Sequence, residues 1–144
     1  MDQALGSRNG IRILVAEDEP LAAMVVEEVL SEHGYDVLLA SDGEEAMLLA
    51  ERHRFDVLVT DLAMPRMTGW ELIPRLRTQR PDLPVVVMTG FLPSNGREVL
   101  FSGQGGPLAL VLKPFEIGHL VRAIEKVMVS QGADSAETTQ LSMH

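Results

Sequence analysis

The stretch IRILVAEDEPLAAMVVEEVL, residues 11–30, decides the fold class of this chain. Residues 11–16 form a short apolar run, which favours a buried strand. The acidic residues that follow and Pro20 are typical of the first turn of a helix, because acids complement the helix dipole and proline lacks a donor that this turn does not use. We expect that helix to run from Leu21 to Leu30 and to end before Gly34. The stretch therefore predicts one strand followed by one helix.

Short apolar runs and helical stretches continue to alternate along the chain. Further strands are predicted at Asp36 to Ala40, Val57 to Thr60, Val85 to Met88 and Ala109 to Leu112. Further helices are predicted at Gly43 to His53, about Glu71 to Gln79, about Ser94 to Phe101, and along the apolar stripe from Ile117 to Met128. Continuously apolar strands that alternate with helices indicate a parallel sheet covered on both faces. The predicted fold class is therefore α/β, a doubly wound five-stranded parallel sheet.

Length, charge and composition limit the function classes. The 144 residues predict one domain over residues 11–129, with a flexible leader at 1–10 and a flexible tail at 130–144. The net charge of −9 argues against direct nucleic-acid binding, and the absence of cysteine excludes disulfides and thiolate metal sites. No apolar run approaches the ~18 residues of a membrane span, so we expect no membrane segment and a cytoplasmic location.

Five polar residues stand where the predicted strands end: Glu17, Asp18, Asp61, Thr89 and Lys113. In an open parallel sheet the carboxyl ends of the strands form the functional crevice, so these side chains are expected to meet there. Three carboxylates packed together repel one another unless a cation lies among them, and oxygen ligands of this kind suit Mg²⁺. A carboxylate can also attack phosphorus. The pattern therefore predicts a Mg²⁺ site at which Asp61 accepts a phosphoryl group.

Other polar residues have simpler interpretations. Asp42 is predicted to cap the second helix, because Ser41 and Asp42 directly precede it. The four histidines lie on separate elements at no ligand-like spacing, and surface roles are expected for them. Trp70 is expected to pack beside the loop after Asp61. Pro74 should delay the start of the third helix or kink it, since it lacks a backbone donor.

Four segments in register resemble the response-regulator receiver family. They are ILVAEDEP (residues 13–20), VLVTDLAMPRMTG (57–69), VMTG (87–90) and LKPF (112–115). The resemblance covers about residues 11–129. It implies a flavodoxin-like (βα)5 sheet with strand order 2-1-3-4-5, a Mg²⁺ cofactor, and a histidine kinase or histidine phosphotransfer protein as the phosphate donor.

The resemblance also implies roles for individual residues. Asp61 matches the phosphoacceptor, Asp18 the direct Mg²⁺ ligand, and Glu17 the acid that acts mainly through metal-bound water. The backbone carbonyl of Ala63 would complete the metal contacts. Polar side chains two positions after the acceptor and two after the switch hydroxyl orient the hydrolytic water in receivers. Ala63 and Phe91 occupy these positions, which implies a long-lived phosphorylated form.

Residues after the fourth and fifth predicted strands match the remaining site residues of the family. Thr89 matches the switch hydroxyl, Lys113 the phosphate-binding lysine, and Pro114 a residue that usually follows a cis peptide bond in the family. Leu110 departs from the family pattern, since receivers often carry an aromatic residue there that moves with the switch hydroxyl. The predicted response is therefore an ordering of the segment from Phe91 to Pro107.

The implied function is a phosphoacceptor receiver of a two-component phosphorelay, which switches a protein-interaction surface and catalyses only its own phosphorylation and dephosphorylation. A single-domain regulator, a receiver from a hybrid kinase and a phosphorylation-dependent homodimer all stay open. A phosphatase with an aspartate nucleophile would carry a second acid at position 63, where this chain has Ala63. A nucleotide-binding domain would need a glycine-rich turn in place of residues 16–20. A docking domain that no longer accepts phosphate is the remaining alternative.

Overall fold

Five parallel strands form one sheet with the order β2-β1-β3-β4-β5. The structure is a computed structural model, which describes residues 10–102 and 105–132. The strands are β1 (Arg12–Ala16), β2 (Asp36–Ala40), β3 (Val57–Thr60), β4 (Val85–Thr89) and β5 (Leu108–Leu112). The predicted fold class and strand order are confirmed, and each predicted strand is present to within one residue at either end.

Five helices connect or follow the strands. They are α1 (Pro20–Glu32), α2 (Gly43–Arg52), α3 (Gly69–Gln79), α4 (Gly96–Ser102) and α5 (Ile117–Gly132). α4 has seven residues, as short as expected for this glycine-containing segment. α5 continues three residues past the predicted domain boundary at 129. The leader at 1–9 and the tail from 133 onward lie outside the described residues, so the predictions for them stay predictions.

The sheet has a core on each face, because successive side chains of a strand point to opposite sides. Ile13 and Val15 of β1 pack on the face covered by α1 and α5. Leu14 and Ala16 pack on the opposite face, where α2, α3 and α4 lie. Every residue of β3 and β4 is buried, which is the signature of strands covered on both sides.

Two details differ from the sequence-based expectations. α3 begins at Gly69 although Pro74 lies inside it, so of the two expected effects of Pro74 the delayed start is wrong, and the kink stays a prediction. A capping box sets the start: the Glu71 amide donates to the Thr68 hydroxyl at 3.3 Å, and the Thr68 amide donates to the Glu71 carboxylate at 3.0 Å. Ile117, predicted as part of the apolar stripe of α5, is 46% exposed because it stands at the first residue of the helix, beyond the edge of the core.

Candidate functional site

The ends of β1 and β3 bring three carboxylates together. Glu17 and Asp18 directly follow β1 and Asp61 directly follows β3, and the two strands are paired in parallel register. One carboxylate oxygen from each of the three residues lies within 4.8 Å of the others. Glu17 and Asp61 are buried at 2% and 7% exposure, whereas Asp18 is exposed. The predicted acidic cluster therefore exists, with one of its acids open to solvent.

Lys113 reaches the cluster from the end of β5. Its ammonium donates to Glu17 Oε1 at 2.7 Å and to Asp61 Oδ2 at 2.9 Å. The Lys113 amide donates to the Thr89 carbonyl at 2.8 Å, which ties the end of β5 to the end of β4. The Lys113–Pro114 peptide bond is cis, as the resemblance implied. The contact with Glu17 was not expected, because 96 residues separate the two partners and no local pattern relates them.

Burial and the ion pairs set the protonation of this cluster. Burial raises the pKa of Glu17, and the hydrogen bond from Lys113 acts in the opposite direction. Burial lowers the pKa of Lys113, but its hydrogen bonds to Asp61 and Glu17 outweigh that effect and the pKa is raised. Lys113 therefore stays charged at neutral pH. One ammonium does not balance three carboxylates, and the remaining negative charge suits a divalent cation.

The loop after β3 holds the Asp61 carboxylate in one orientation. Asp61 Oδ1 accepts hydrogen bonds from the amides of Leu62 at 2.6 Å and Ala63 at 3.2 Å, while Oδ2 accepts from Lys113. Gly69, the first residue of α3, packs directly on this loop, since a Cβ built there would lie 2.2 Å from the Asp61 carbonyl oxygen. Only glycine permits this approach.

Thr89 is buried at the end of β4 and contacts its own loop. Its hydroxyl donates to the Phe91 carbonyl at 3.0 Å and accepts a weaker bond from the Phe91 amide at 3.4 Å. The Phe91 side chain is 76% exposed. The hydroxyl lies on the same sheet edge as the carboxylates but bonds to the loop after β4, so a switch role requires it to exchange partners.

Other sequence predictions concern residues around the site. Asp42 caps α2 as expected, with Oδ1 accepting from the Glu45 amide at 2.8 Å. Its second oxygen accepts from Arg66, a partner that sequence reasoning missed because it lies 24 residues away in the loop after β3. Trp70 is half-buried against the core face covered by α2, α3 and α4.

The other expectations have simple outcomes. His33, His53 and His119 are exposed, and His144 lies outside the described residues. No helix within residues 10–102 and 105–132 combines the length and apolarity that a bilayer crossing requires.

Comparisons with known proteins agree with this arrangement. A family model described as the response regulator receiver domain matches residues 13–125. The transcriptional regulatory protein PdtaR of Mycobacterium tuberculosis is 40% identical over 115 residues, which are 79% of this chain and 55% of that protein. The chain thus spans about half the length of this curated relative.

Two solved structures share the fold. The receiver domain of sensor histidine kinase PA1611 from Pseudomonas aeruginosa, with a magnesium ion coordinated in its active site cleft, has a TM-score of 0.73 at 30% identity and covers 84% of this chain and 99% of that one. The response regulator TrrA from Thermotoga maritima, in complex with Mg(2+)-BeF, has a TM-score of 0.71 at 29% identity and covers 81% of this chain and 98% of that one.

Proposed function

This chain belongs to the response regulator receiver family of two-component systems, and we propose that Asp61 is the residue that accepts its phosphoryl group. The observation that carries the proposal is the setting of the Asp61 carboxylate. It is buried at a strand end, lies within 4.8 Å of the oxygens of two other acids, and accepts a hydrogen bond from Lys113 at 2.9 Å. A buried nucleophile beside a fixed cation and a cation-binding cluster suits phosphoryl transfer.

Each polar side chain of the site has a role in the phosphoryl transfer. An Asp61 oxygen attacks phosphorus, the bond from phosphorus to the donor imidazole nitrogen breaks, and the electron pair of that bond stays on the imidazole. Lys113 neutralises negative charge on the phosphoryl oxygens, since it already stands beside Asp61. The Thr89 hydroxyl would leave the Phe91 carbonyl and donate to a phosphoryl oxygen. The direct partner is a histidine kinase or histidine phosphotransfer protein, and the chain acts as a switch rather than as an enzyme on other substrates.

The donor set also fits Mg²⁺. Glu17, Asp18 and Asp61 offer carboxylate oxygens within reach of one ion, and the Ala63 carbonyl is the remaining protein ligand that we assign. When bound, the ion would neutralise charge on the phosphoryl oxygens and orient them. Receiver domains bind Mg²⁺ at such an acidic site, and for this chain the ligand assignment is part of the proposal.

The change in the protein-interaction surface follows from the charge that phosphorylation adds. An aspartyl phosphate adds about −1.5 to −2 of charge if it behaves like other phosphorylated side chains. Thr89 and Lys113 are drawn toward this charge, which moves the loops after β4 and β5 and changes a surface that a downstream protein reads. The segment from Phe91 to Pro107 is expected to become more ordered, since Leu110 lacks the aromatic ring that could move with Thr89.

Intact-mass measurement with acetyl phosphate and Mg²⁺ tests the proposal. Wild type should gain one phosphoryl group and Asp61→Asn none, while the matched control Asp82→Asn at an exposed loop position should label like wild type. An unlabelled wild type, or equal labelling of Asp61→Asn, would falsify the assignment. Hydrolysis of a generic phosphate ester, measured in parallel, should be absent; turnover would favour a phosphatase instead.

A further inference from the structure

Arg66 occupies an unusual place in the loop between β3 and α3. Among residues 10–102 and 105–132 it is the one non-glycine residue with a left-handed backbone, at φ 66°. Glycine adopts this conformation freely, whereas an arginine is held there by its contacts. The Arg66 side chain is 58% exposed, so burial of apolar surface does not hold it. The Met67 amide donates to the Pro65 carbonyl at 2.7 Å, which closes a tight turn around Arg66, and the contacts with Asp42 fix its side chain.

The partner of Arg66 is a buried carboxylate on a different loop. Asp42 Oδ2 accepts from Arg66 Nε at 2.8 Å and also from Arg66 Nη2. Asp42 Oδ1 meanwhile accepts from the Glu45 amide at 2.8 Å, which anchors the carboxylate to the first turn of α2. The backbone bond from Glu45 lowers the pKa of Asp42, and the hydrogen bond from Arg66 adds to that effect. The carboxylate is therefore ionised at neutral pH and tied to a rigid element.

A second contact joins the same two loops. A Cβ built on Gly43 would lie 2.3 Å from the Met67 carbonyl oxygen, so the start of α2 touches the backbone one residue after Arg66. The start of the β3–α3 loop is also fixed to α3, because the Gly69 amide donates to the Leu62 carbonyl at 2.9 Å. Arg66 thus stands in the middle of a loop whose later part rests on α2.

The same loop carries the amides that orient the phosphoacceptor. Asp61 Oδ1 bonds to the amides of Leu62 and Ala63, and the Ala63 carbonyl is the assigned backbone metal ligand. We infer that Arg66 is a positioning residue: its pairing with Asp42 holds the β3–α3 loop so that Asp61 and the Ala63 carbonyl are set for the divalent cation and for phosphoryl transfer. This inference rests on the proposed function.

The sign of the effect on Mg²⁺ binding separates positioning from simple electrostatics. Removing a positive charge makes the domain more negative overall, which by Coulomb's law favours Mg²⁺ binding. Loss of positioning should weaken it. In Arg66→Gln the Mg²⁺ dissociation constant from calorimetry should rise at least threefold, and in Arg66→Lys, which keeps the charge, it should stay close to wild type. Arg75→Gln, at an exposed position of α3, controls for the loss of one positive charge.

Three further measurements exclude a merely structural role. Arg66→Gly relieves the backbone conformation, so its melting temperature should not fall while its Mg²⁺ affinity still does. Acetyl phosphate labelling of Arg66→Gln should be slow at subsaturating Mg²⁺ and recover at saturating Mg²⁺. Without metal, amide exchange at residues 62–69 should be at least tenfold faster in Arg66→Gln than in wild type.

Mg²⁺ binding in Arg66→Gln that is as tight as in wild type, or tighter, overturns the inference. The two proposals also fail separately. A wild type that gains no phosphoryl group sinks the proposed function, and the exchange comparison still decides whether Arg66 holds the loop. A wild type that labels normally beside an Arg66→Gln variant with unchanged Mg²⁺ affinity and unchanged exchange sinks only the role of Arg66.

Discussion

Replacing Gly69 with alanine tests how closely the acceptor loop is coupled to α3. The added Cβ would lie 2.2 Å from the Asp61 carbonyl oxygen and 2.9 Å from the Leu62 Cα, both of which are backbone atoms that cannot rotate away. Ordinary van der Waals contact begins at 3.4 Å. To bring the Asp61 carbonyl oxygen from 2.2 Å to that distance, α3 and the loop must separate by about 1.2 Å. The φ angle of Gly69 is not in the left-handed region, so alanine at this position is strained by steric overlap and not by its backbone conformation.

We expect two consequences of this displacement. Forced overpacking of this kind costs about 2 kcal/mol of unfolding free energy, which corresponds to a melting temperature lower by roughly 8 °C for a domain of this size. A displacement of about 1 Å at a reacting group also lowers the rate by about a hundredfold. The Gly69→Ala variant should therefore fold but accept phosphate far more slowly, because Asp61 and its orienting amides shift with the loop.

The matched control is Gly118→Ala in the first turn of α5, where the atoms nearest to the added Cβ belong to the end of the flexible Arg122 side chain, the first of them at 3.2 Å. This change should be neutral or stabilising, since alanine favours helix by about 1 kcal/mol over glycine. Thermal melting and the initial rate of acetyl phosphate labelling measure both variants. If Gly69→Ala melts and labels like Gly118→Ala, the close approach of α3 to Asp61 does not govern the site.

Three further predictions concern the metal, the lifetime of the phosphorylated form and the pH dependence of stability. Asp18→Ala should abolish most of the Mg²⁺-dependent rise in melting temperature, since it relieves the repulsion that the cation offsets; an unchanged rise would contradict the ligand assignment. Ala63→Asn combined with Phe91→Glu should shorten the phosphorylated lifetime, because neither native side chain can orient water; equal decay of label would show that these positions do not control it. Asp42→Asn should be less stable than wild type at neutral pH, because the folded-state pKa of Asp42 lies below its unfolded value of 3.8. That difference in stability is present above pH 3.8 and is lost as pH falls through the folded-state pKa. A difference independent of pH in chemical denaturation would therefore contradict the stabilisation of the Asp42 carboxylate by the Glu45 amide and, to a smaller extent, by Arg66.

Before phosphorylation, Lys113 contacts the Asp61 oxygen that the loop amides leave free. Lys113 bonds at once to Glu17 and Asp61, so it occupies the Asp61 oxygen that is not held by the loop amides. A phosphoryl group on Asp61 would have to share or replace this contact. The ammonium would then follow the new charge, because charge-assisted hydrogen bonds are the stronger ones. This gives a direct physical link between phosphorylation and the end of β5.

The sequence by itself determined the order of elements and the edge at which the polar groups meet. Apolar runs of four to six residues that alternate with helices leave few parallel arrangements, and the residues after each strand must then share one edge. Glu17, Asp18 and Asp61 were therefore predictable as a cluster, as was the cap at Asp42. These predictions rest on local pattern and on topology, which the chain carries in its own order.

Only the tertiary structure decided which polar groups touch. The pairs Lys113–Glu17 and Arg66–Asp42 join residues 96 and 24 positions apart, and the close approach of Gly69 to Asp61 depends on how α3 docks on the loop. Sequence periodicity does not encode such contacts, because they depend on distances of a few ångströms between elements that pack independently. The start of α3 ahead of Pro74 has a local origin instead, since the capping box between Thr68 and Glu71 outweighs the donor that one proline lacks.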